Sequence, residues 1–236
     1  MNHNQNQLMF PRGLKQPEQG YRFSLDSLLL ACYPGFKAGE RVIDLGTGCG
    51  VVSFALLLKN PGLGLKVTGV DISRDMIELS RQNCLHLGLQ SGFSPLVQDV
   101  CKINTEKRLT PESADHVLAN PPYRPANQGR LSPRVDKNPA RFQTSAGLDD
   151  FLRAGAYLVK NRGRMTLVYL AESLTPLLLS LSRYRLEPKR IQFVHSRETS
   201  RAGLVLVQGI KNARPGLTVN PPLILYFKTK GRKKLT

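Results

Sequence analysis

Tryptophan is absent and acids are scarce: 236 residues carry 17 Asp and Glu against 34 Lys and Arg, a formal charge of +17. An imbalance of that size, spread along the whole chain, argues for a polyanionic partner, nucleic acid first. Cysteine is sparse too. Cys32, Cys49, Cys84 and Cys101 form no C-x-x-C pair and no cluster with His3, His86, His116 or His195. That spacing argues against a disulfide scaffold and a structural zinc, fits a reducing cytoplasm, and leads us to expect no metal. Long apolar runs are missing: nothing approaches the ~20 residues that span a bilayer. The polar start, Met1-Asn2-His3-Asn4-Gln5-Asn6-Gln7, lacks the charged-then-apolar layout of a signal peptide. A cytoplasmic protein with no membrane association, a monomer or weak homodimer, is expected.

What is present is ordinary for a globular chain. Hydrophobic residues make up 41% and charged residues 22%, enough for one α/β domain with small additions. Arg41-Val42-Ile43-Asp44-Leu45 reads as a strand running into Gly46-Thr47-Gly48-Cys49-Gly50, and Val51 to Lys59 continues as an apolar helix. Glycines in such a turn let the backbone approach a ligand and open the helix N-terminus toward it. The spacing is G-x-G-x-G; valine at 51 departs from the G-x-G-x-x-G of dinucleotide sites. A second strand, Lys66 to Ile72, carries Asp71 near its end, where a carboxylate can hold a ribose diol. A third, Ser94 to Val97, ends in Gln98-Asp99, placed to contact an adenine edge. Strand and helix alternate from Arg41 to Leu118, as a parallel sheet requires, with a helix over Arg74 to Leu87 stopped by Gly88.

The fourth strand, Asp115 to Ala119, ends in Asn120-Pro121-Pro122-Tyr123. Proline offers a carbonyl and no N–H, so this tetrapeptide presents acceptors with few competing donors. Asn120 adds a side-chain oxygen, and Tyr123 a ring on which a planar group can stack. Two acceptors beside an aromatic face suit a planar –NH2 group, a base amine or an amide. Gripping its hydrogens pulls the nitrogen lone pair out of conjugation and makes it nucleophilic. Asn220-Pro221-Pro222 shares the prolines but is followed by Leu223, and no glycine loop leads up to it. It reads as a plain turn.

Flanking segments complete the organisation. Residues 1 to about 20 hold turn signals and room for a short hairpin, and Ser24 or Asp26 is placed to cap a helix over Ser27 to Tyr33. Arg124 to Gly147 is a long polar loop with Arg124, Arg130, Arg134, Lys137 and Arg141 against one acid, Asp136. A loop of that length directly after the tetrapeptide is expected to overhang the substrate mouth and grip phosphates. A helix over Leu148 to Val159, a strand from Gly163 to Leu170 and a helix from Glu172 to Tyr184 follow. Strands Arg190 to His195 and Gly203 to Lys211 flank a basic hairpin loop bearing Arg197 and Arg201, counted with the substrate contacts. A last strand, Leu223 to Phe227, precedes the tail Lys228-Thr229-Lys230-Gly231-Arg232-Lys233-Lys234, expected as a solvated end able to hold RNA backbone.

Together these residues resemble the class I S-adenosylmethionine-dependent methyltransferases, and the tetrapeptide resembles their amino-methylating branch. The opening Gly20-Tyr21-Arg22-Phe23-Ser24-Leu25-Asp26-Ser27 is similar to that of the YfiC-like bacterial family, which methylates adenine N6 in the anticodon-loop region of a valine tRNA. The resemblance implies a Rossmann-like α/β fold: a mostly parallel seven-stranded sheet, an antiparallel late strand and helices on both faces. It implies an N-terminal extension, 1–40, ahead of the methyltransferase domain, 41–236. S-adenosyl-L-methionine would be the cofactor, with Asp44, Gly46, Gly48 and Gly50 around its methionine part. The ribose falls to Asp71 and the adenine to Asp99, with Ile72 and Val100 beside them. Tyr21, Phe23 and Asp26 close over the cofactor, which Asn120 also meets. Asn120, Pro121, Pro122 and Tyr123 receive the amine, on tRNA or another RNA. Alternatives are a glutamine amide, as in the release-factor methyltransferases, guanine N2 of ribosomal RNA, or adenine N6 of DNA. A non-catalytic RNA-binding protein on the same fold is a further one.

Overall fold

The computed structural model describes residues 3–18, 22–123, 146–229 and 232–235. In chain order the elements are α1 (His3–Leu8), α2 (Leu25–Cys32), β1 (Arg41–Leu45), α3 (Val51–Lys59), β2 (Lys66–Asp71), α4 (Arg74–Leu87), β3 (Phe93–Val97), α5 (Ile103–Glu106), β4 (Ala114–Ala119), α6 (Leu148–Leu158), β5 (Val159–Leu170), α7 (Leu174–Arg183), β6 (Leu186–Arg197), β7 (Ala202–Lys211), β8 (Thr218–Val219), β9 (Leu223–Thr229) and β10 (Arg232–Leu235). The strands form one sheet ordered β10-β9-β6-β7-β5-β4-β1-β2-β3, with β8 against β6. From β3 through β5 every neighbouring pair is parallel, and β7 runs antiparallel between β5 and β6. This is the expected seven-stranded, Rossmann-like arrangement. Beyond β6 the sheet is extended by β8 and β9, both parallel to it, and by antiparallel β10.

Period-two alternation sorts each strand between two cores. Ile43, Leu45, Val117 and Ala119 face Phe151, Leu152, Leu158, Leu177 and Leu181 of α6 and α7. Val42, Val67, Leu118 and Leu206 face Leu30, Phe54, Leu56, Cys84 and Leu87 of α2, α3 and α4. Asp44 lies between Ile43 and Leu45, so it belongs to the α3 face; Asn120 follows Ala119 and belongs to that face as well. The C-terminal ends of the parallel strands carry the loops in which open α/β sheets bind ligands.

Both ends of the chain differ from expectation. The polar start, for which no element is expected, forms helix α1, and the described residues between the turn signals at 10–13 and 16–20 form no strand. Asn6 Nδ2 donates to the His86 carbonyl at 2.9 Å and Gln7 Nε2 to the Leu87 carbonyl at 2.7 Å. The amides thereby satisfy carbonyls of the last turn of α4, which have no partner within that helix. The basic tail, expected as a solvated end, pairs over Arg232–Leu235 as β10 with β9. A lysine- and arginine-rich edge strand is how sheets discourage further pairing.

Candidate active site

The glycine loop is held from below. Asp44 is 1% exposed, and its Oδ2 accepts the Thr47 and Ser53 hydroxyls, each at 2.7 Å. Burial raises its pKa to about 6, against hydrogen bonds from Ser53 and Thr47 that oppose the rise. The carboxylate therefore ties the turn to the first turn of α3, where negative charge also complements the helix dipole. Gly46 and Gly50 adopt φ of 73° and 92°, and a Cβ on Gly50 would lie 2.3 Å from the Phe54 ring. No other residue type fits Gly50 without displacing that ring.

At the end of β2, Asp71 accepts the Gly48 N–H through Oδ2 and the Ser73 N–H through Oδ1, both at 2.9 Å. Each oxygen keeps a lone pair for a ligand hydroxyl. Burial raises the Asp71 pKa as well. Above it opens a cleft of about 360 Å³ lined by Phe23, Gly46, Gly48, Asp71, Met76, Asn120 to Tyr123 and Phe151, among others. A smaller recess of about 160 Å³ adjoins it, lined by Gly46, Asp71, Ile72, Asp99, Val100, Pro122, Ala146 and Phe151. Asp99 caps the short 3₁₀ turn after β3 through the Cys101 N–H, at 2.9 Å.

Helix α2 positions the tetrapeptide. Asn120 Nδ2 donates to Ser27 Oγ at 3.2 Å, and the Tyr123 hydroxyl donates to Asp26 Oδ2 at 2.7 Å. The Tyr123 ring stands edge-on to Tyr169, centroids 5.6 Å apart. Asp26 is therefore neither a cap nor a wall of the cleft; it sets the orientation of the tyrosine. Ser24 occupies the N-cap position of α2, but its hydroxyl makes no capping bond.

The structure thus brings together Phe23, Gly46, Gly48, Asp71, Ile72, Asp99, Val100 and Asn120 to Tyr123. Asp44 and Gly50 support the loop from outside the cleft. Arg197 and Arg201 are exposed on the β6–β7 turn, away from the cleft. Tyr21, Arg124, Arg130, Arg134 and Arg141 lie outside the described residues. Residues the sequence did not single out are Ser27, Ser73, Met76 and Phe151. Phe151 had one signal, an aromatic side chain in the first turn of the helix that follows the long loop. Another is Asn83, fully buried, whose amide donates to the Lys15 and Cys49 carbonyls at 2.9 and 3.0 Å and accepts the Lys15 N–H at 2.8 Å. It ties the N-terminal segment to the glycine loop. Among the described residues no group of acids, histidines and cysteines is placed to hold a metal, and no helix is long and apolar enough to cross a membrane.

The cleft suits S-adenosylmethionine by the chemistry of its donors. Asp71 offers acceptors for a diol, and Ile72 and Val100 offer apolar surface for a base. Two carboxylates, half-buried Asp71 on the cleft and buried Asp44 beneath the glycine loop, favour a sulfonium cation.

Comparison with known proteins agrees. A family model described as a methyltransferase domain matches residues 36–178. A tRNA1(Val) (adenine(37)-N6)-methyltransferase of Phocaeicola vulgatus is 24% identical over 182 residues, 77% of this chain and 74% of the relative. One of that name from Vibrio vulnificus is 28% identical over 149 residues, 63% of this chain and 59% of the relative, so the match spans less than two thirds of its length. A release factor glutamine methyltransferase of Bacillus cereus is 35% identical over 118 residues, but only 38% of its length is matched. A solved structure described as a predicted O-methyltransferase of Agrobacterium tumefaciens superposes with a TM-score of 0.71 at 24% identity, covering 89% of this chain and 91% of that one. With more than half of its length matched to that domain, on this sheet and around this cleft, the chain belongs to the methyltransferase domain family and is an S-adenosylmethionine-dependent methyltransferase.

Proposed function

We propose that this enzyme methylates the exocyclic N6 amine of an adenine in RNA, specifically tRNA, in the anticodon-loop region of a valine tRNA. Relatives of that name support the substrate, and the charge of +17 supports a nucleic acid over a protein amide. The observation that carries the reading is the orientation of Asn120. Its Nδ2 is occupied by Ser27, which leaves Oδ1 without a partner among the described residues, as an acceptor beside the Pro121 carbonyl.

Bound S-adenosylmethionine supplies an electrophilic methyl on a sulfonium. The chain's own residues prepare the nucleophile. Asn120 Oδ1 and the Pro121 carbonyl accept the two N–H groups of the amine and draw its lone pair out of conjugation with the ring, localised on nitrogen. Tyr123 stacks on the base, its orientation held by Asp26. With the donor bound, the amine nitrogen would take the methyl in exchange for the sulfur, and the methylated amine would then lose a proton to water. No base is required, and geometry supplies most of the rate. An adenine in a stacked loop must first be flipped out of it.

Labelled S-adenosylmethionine with unmodified bacterial tRNA, digestion and nucleoside mass spectrometry test this. N6-methyladenosine is expected with the wild type and lost with Asn120→Ala, which still binds cofactor. Label appearing instead on a release-factor glutamine, with tRNA unlabelled, would replace the RNA reading.

A further inference from the structure

On the same edge of the sheet as the reaction cleft, but well along it, lies a second cleft that the reaction does not use. β6 and β9 are parallel to β4, so their C-terminal ends emerge on the side where Asn120 follows β4. Between β4 and β6 stand β5 and β7, and β9 lies one strand beyond. At ~4.8 Å per strand β6 and β9 stand ~14–19 Å across the sheet from β4. Because Ala119 is level with Ile191, Arg197 and Tyr226 lie about six residues, ~20 Å, farther along the strands, ~25–28 Å from the end of β4 in all. There Ser196, Arg197, Thr199, Ser200 and Tyr226 line a cleft of about 390 Å³.

Its walls are built and its functional groups are spare. The turn closes by the Ser200 N–H on the Arg197 carbonyl at 3.0 Å, and the Ser200 hydroxyl locks it by donating to that carbonyl at 2.7 Å and accepting the Arg197 N–H at 2.9 Å. His195 Nδ1 lies 2.8 Å from the Ser200 carbonyl. The Arg197 guanidinium, the Thr199 hydroxyl and the Tyr226 phenol have no partner among the described residues. Tyr226 is 38% exposed and pairs in register with Arg197 across the two parallel strands. The turn carries a single acid, Glu198, which is not among the lining residues. The backbone of Lys228 and Arg232, on the β9–β10 pair, reaches the same edge.

A guanidinium and a hydroxyl beside an exposed aromatic face make a combination suited to one nucleotide: phosphate on the first two, base stacked on the third. We propose that this cleft is a second RNA subsite, which holds a nucleotide distant from the one being methylated. At ~3.4 Å per stacked step, ~25–28 Å corresponds to about seven or eight nucleotides along the strand. The inference rests on RNA being the substrate. It adds that recognition runs along the sheet edge toward β9 and measures a distance from the target.

The test uses the full chain and two readouts. Binding of a short fluorescent single-stranded RNA is followed by anisotropy for the wild type, Arg197→Ala, Tyr226→Ala and Tyr226→Phe, and methylation of tRNA is measured for the same proteins. Tyr226→Ala is expected to weaken binding roughly tenfold, and Tyr226→Phe, which keeps the ring, to bind as wild type. Arg197→Ala is expected to weaken binding and to lower the slope of log K against log salt by about one. The alanine variants should raise KM for tRNA and leave kcat at saturating RNA and cofactor affinity unchanged. Wild-type binding by the alanine variants, with tRNA still methylated, overturns the subsite and leaves the activity standing. RNA bound through these residues but methylated by no preparation retains the subsite and overturns the RNA methylation reading.

Discussion

The Tyr123 hydroxyl donates to the Asp26 carboxylate across 2.7 Å, and it joins the end of β4 to helix α2 over most of the N-terminal half of the chain. One residue on, Ser27 takes the Asn120 amide in the same way. Two adjacent residues of one helix thus orient the two side chains proposed to face the amine.

That pairing predicts a coupled pair of variants. Tyr123→Phe removes the hydroxyl and keeps the ring; Asp26→Ala removes its anchor. Each is expected to lower kcat by roughly 10- to 100-fold, in line with the cost of misplacing a reacting group. Cofactor affinity should stay near wild type. The double variant should be no slower than the worse single one, because both act through one contact. Additive losses in a double-mutant cycle would show that the two residues act independently.

Asn83 predicts a second coupling, between stability and cofactor. Asn83→Ala leaves the Lys15 N–H and the Lys15 and Cys49 carbonyls without their partner. A loss of about 1–3 kcal/mol is expected for a buried group so orphaned. Because Cys49 belongs to the glycine loop, KM for S-adenosylmethionine should rise alongside the drop in urea midpoint. A destabilised variant with wild-type KM would limit Asn83 to packing.

The parts of the site legible in the sequence are those set by local order. Asp71 at the end of β2, Asp99 after β3 and Asn120 after β4 each follow from a strand that stops beside a turn, and parallel strands bring those ends to one edge. Ser27, Phe151 and Asn83 were not legible, since each reaches the site from an element whose approach is decided by tertiary packing. The family resemblance implies a place for Asp44 around the methionine part of the cofactor, but nothing in its local sequence shows that strand alternation also directs the side chain toward α3, where Ser53 and Thr47 hold it. The polar start and the basic tail carry no signal for α1 and β10 for one reason: neither has an apolar period. Amides that cap another helix and lysines on an edge strand need none.

Asp44 yields a pH prediction for ligand preference. Its pKa of about 6 means that the carboxylate is charged at pH 7.5 and mostly neutral at pH 5. Asp71, the other acid facing this loop, is shifted in the same direction. A negative loop favours the sulfonium of the methyl donor over the neutral thioether product. The ratio of donor to product affinity is therefore expected to fall roughly threefold to tenfold from pH 7.5 to pH 5. Calorimetry with both ligands measures it. Asp44→Asn should flatten most of the change; an unchanged profile in that variant would assign the effect to Asp71.

His116 gives a pH prediction for folding. It is fully buried on β4, with Nε2 2.8 Å from the Thr166 hydroxyl, which also accepts from Gln208 at 3.1 Å, and its ring lies 5.3 Å from Phe36. Burial, with the Arg164 charge adding to it, holds its pKa well below the ordinary value of 6.5. Below ~6.5 the unfolded chain takes up a proton that the folded one refuses, so this residue's contribution to stability is lost as pH falls from there. Asp44 acts in the opposite sense between the ordinary carboxylate value of 3.8 and about 6, where the folded state binds the extra proton. The total curve is thus a poor readout, and the difference between wild type and His116→Leu is the useful one, since Asp44 is common to both. Urea unfolding at pH 7.5, 6.0 and 5.0 is expected to show wild type losing stability relative to the variant by up to about 1.4 kcal/mol per pH unit below 6.5. A constant difference across that range would mean that His116 protonates as readily in the folded protein as in the unfolded chain.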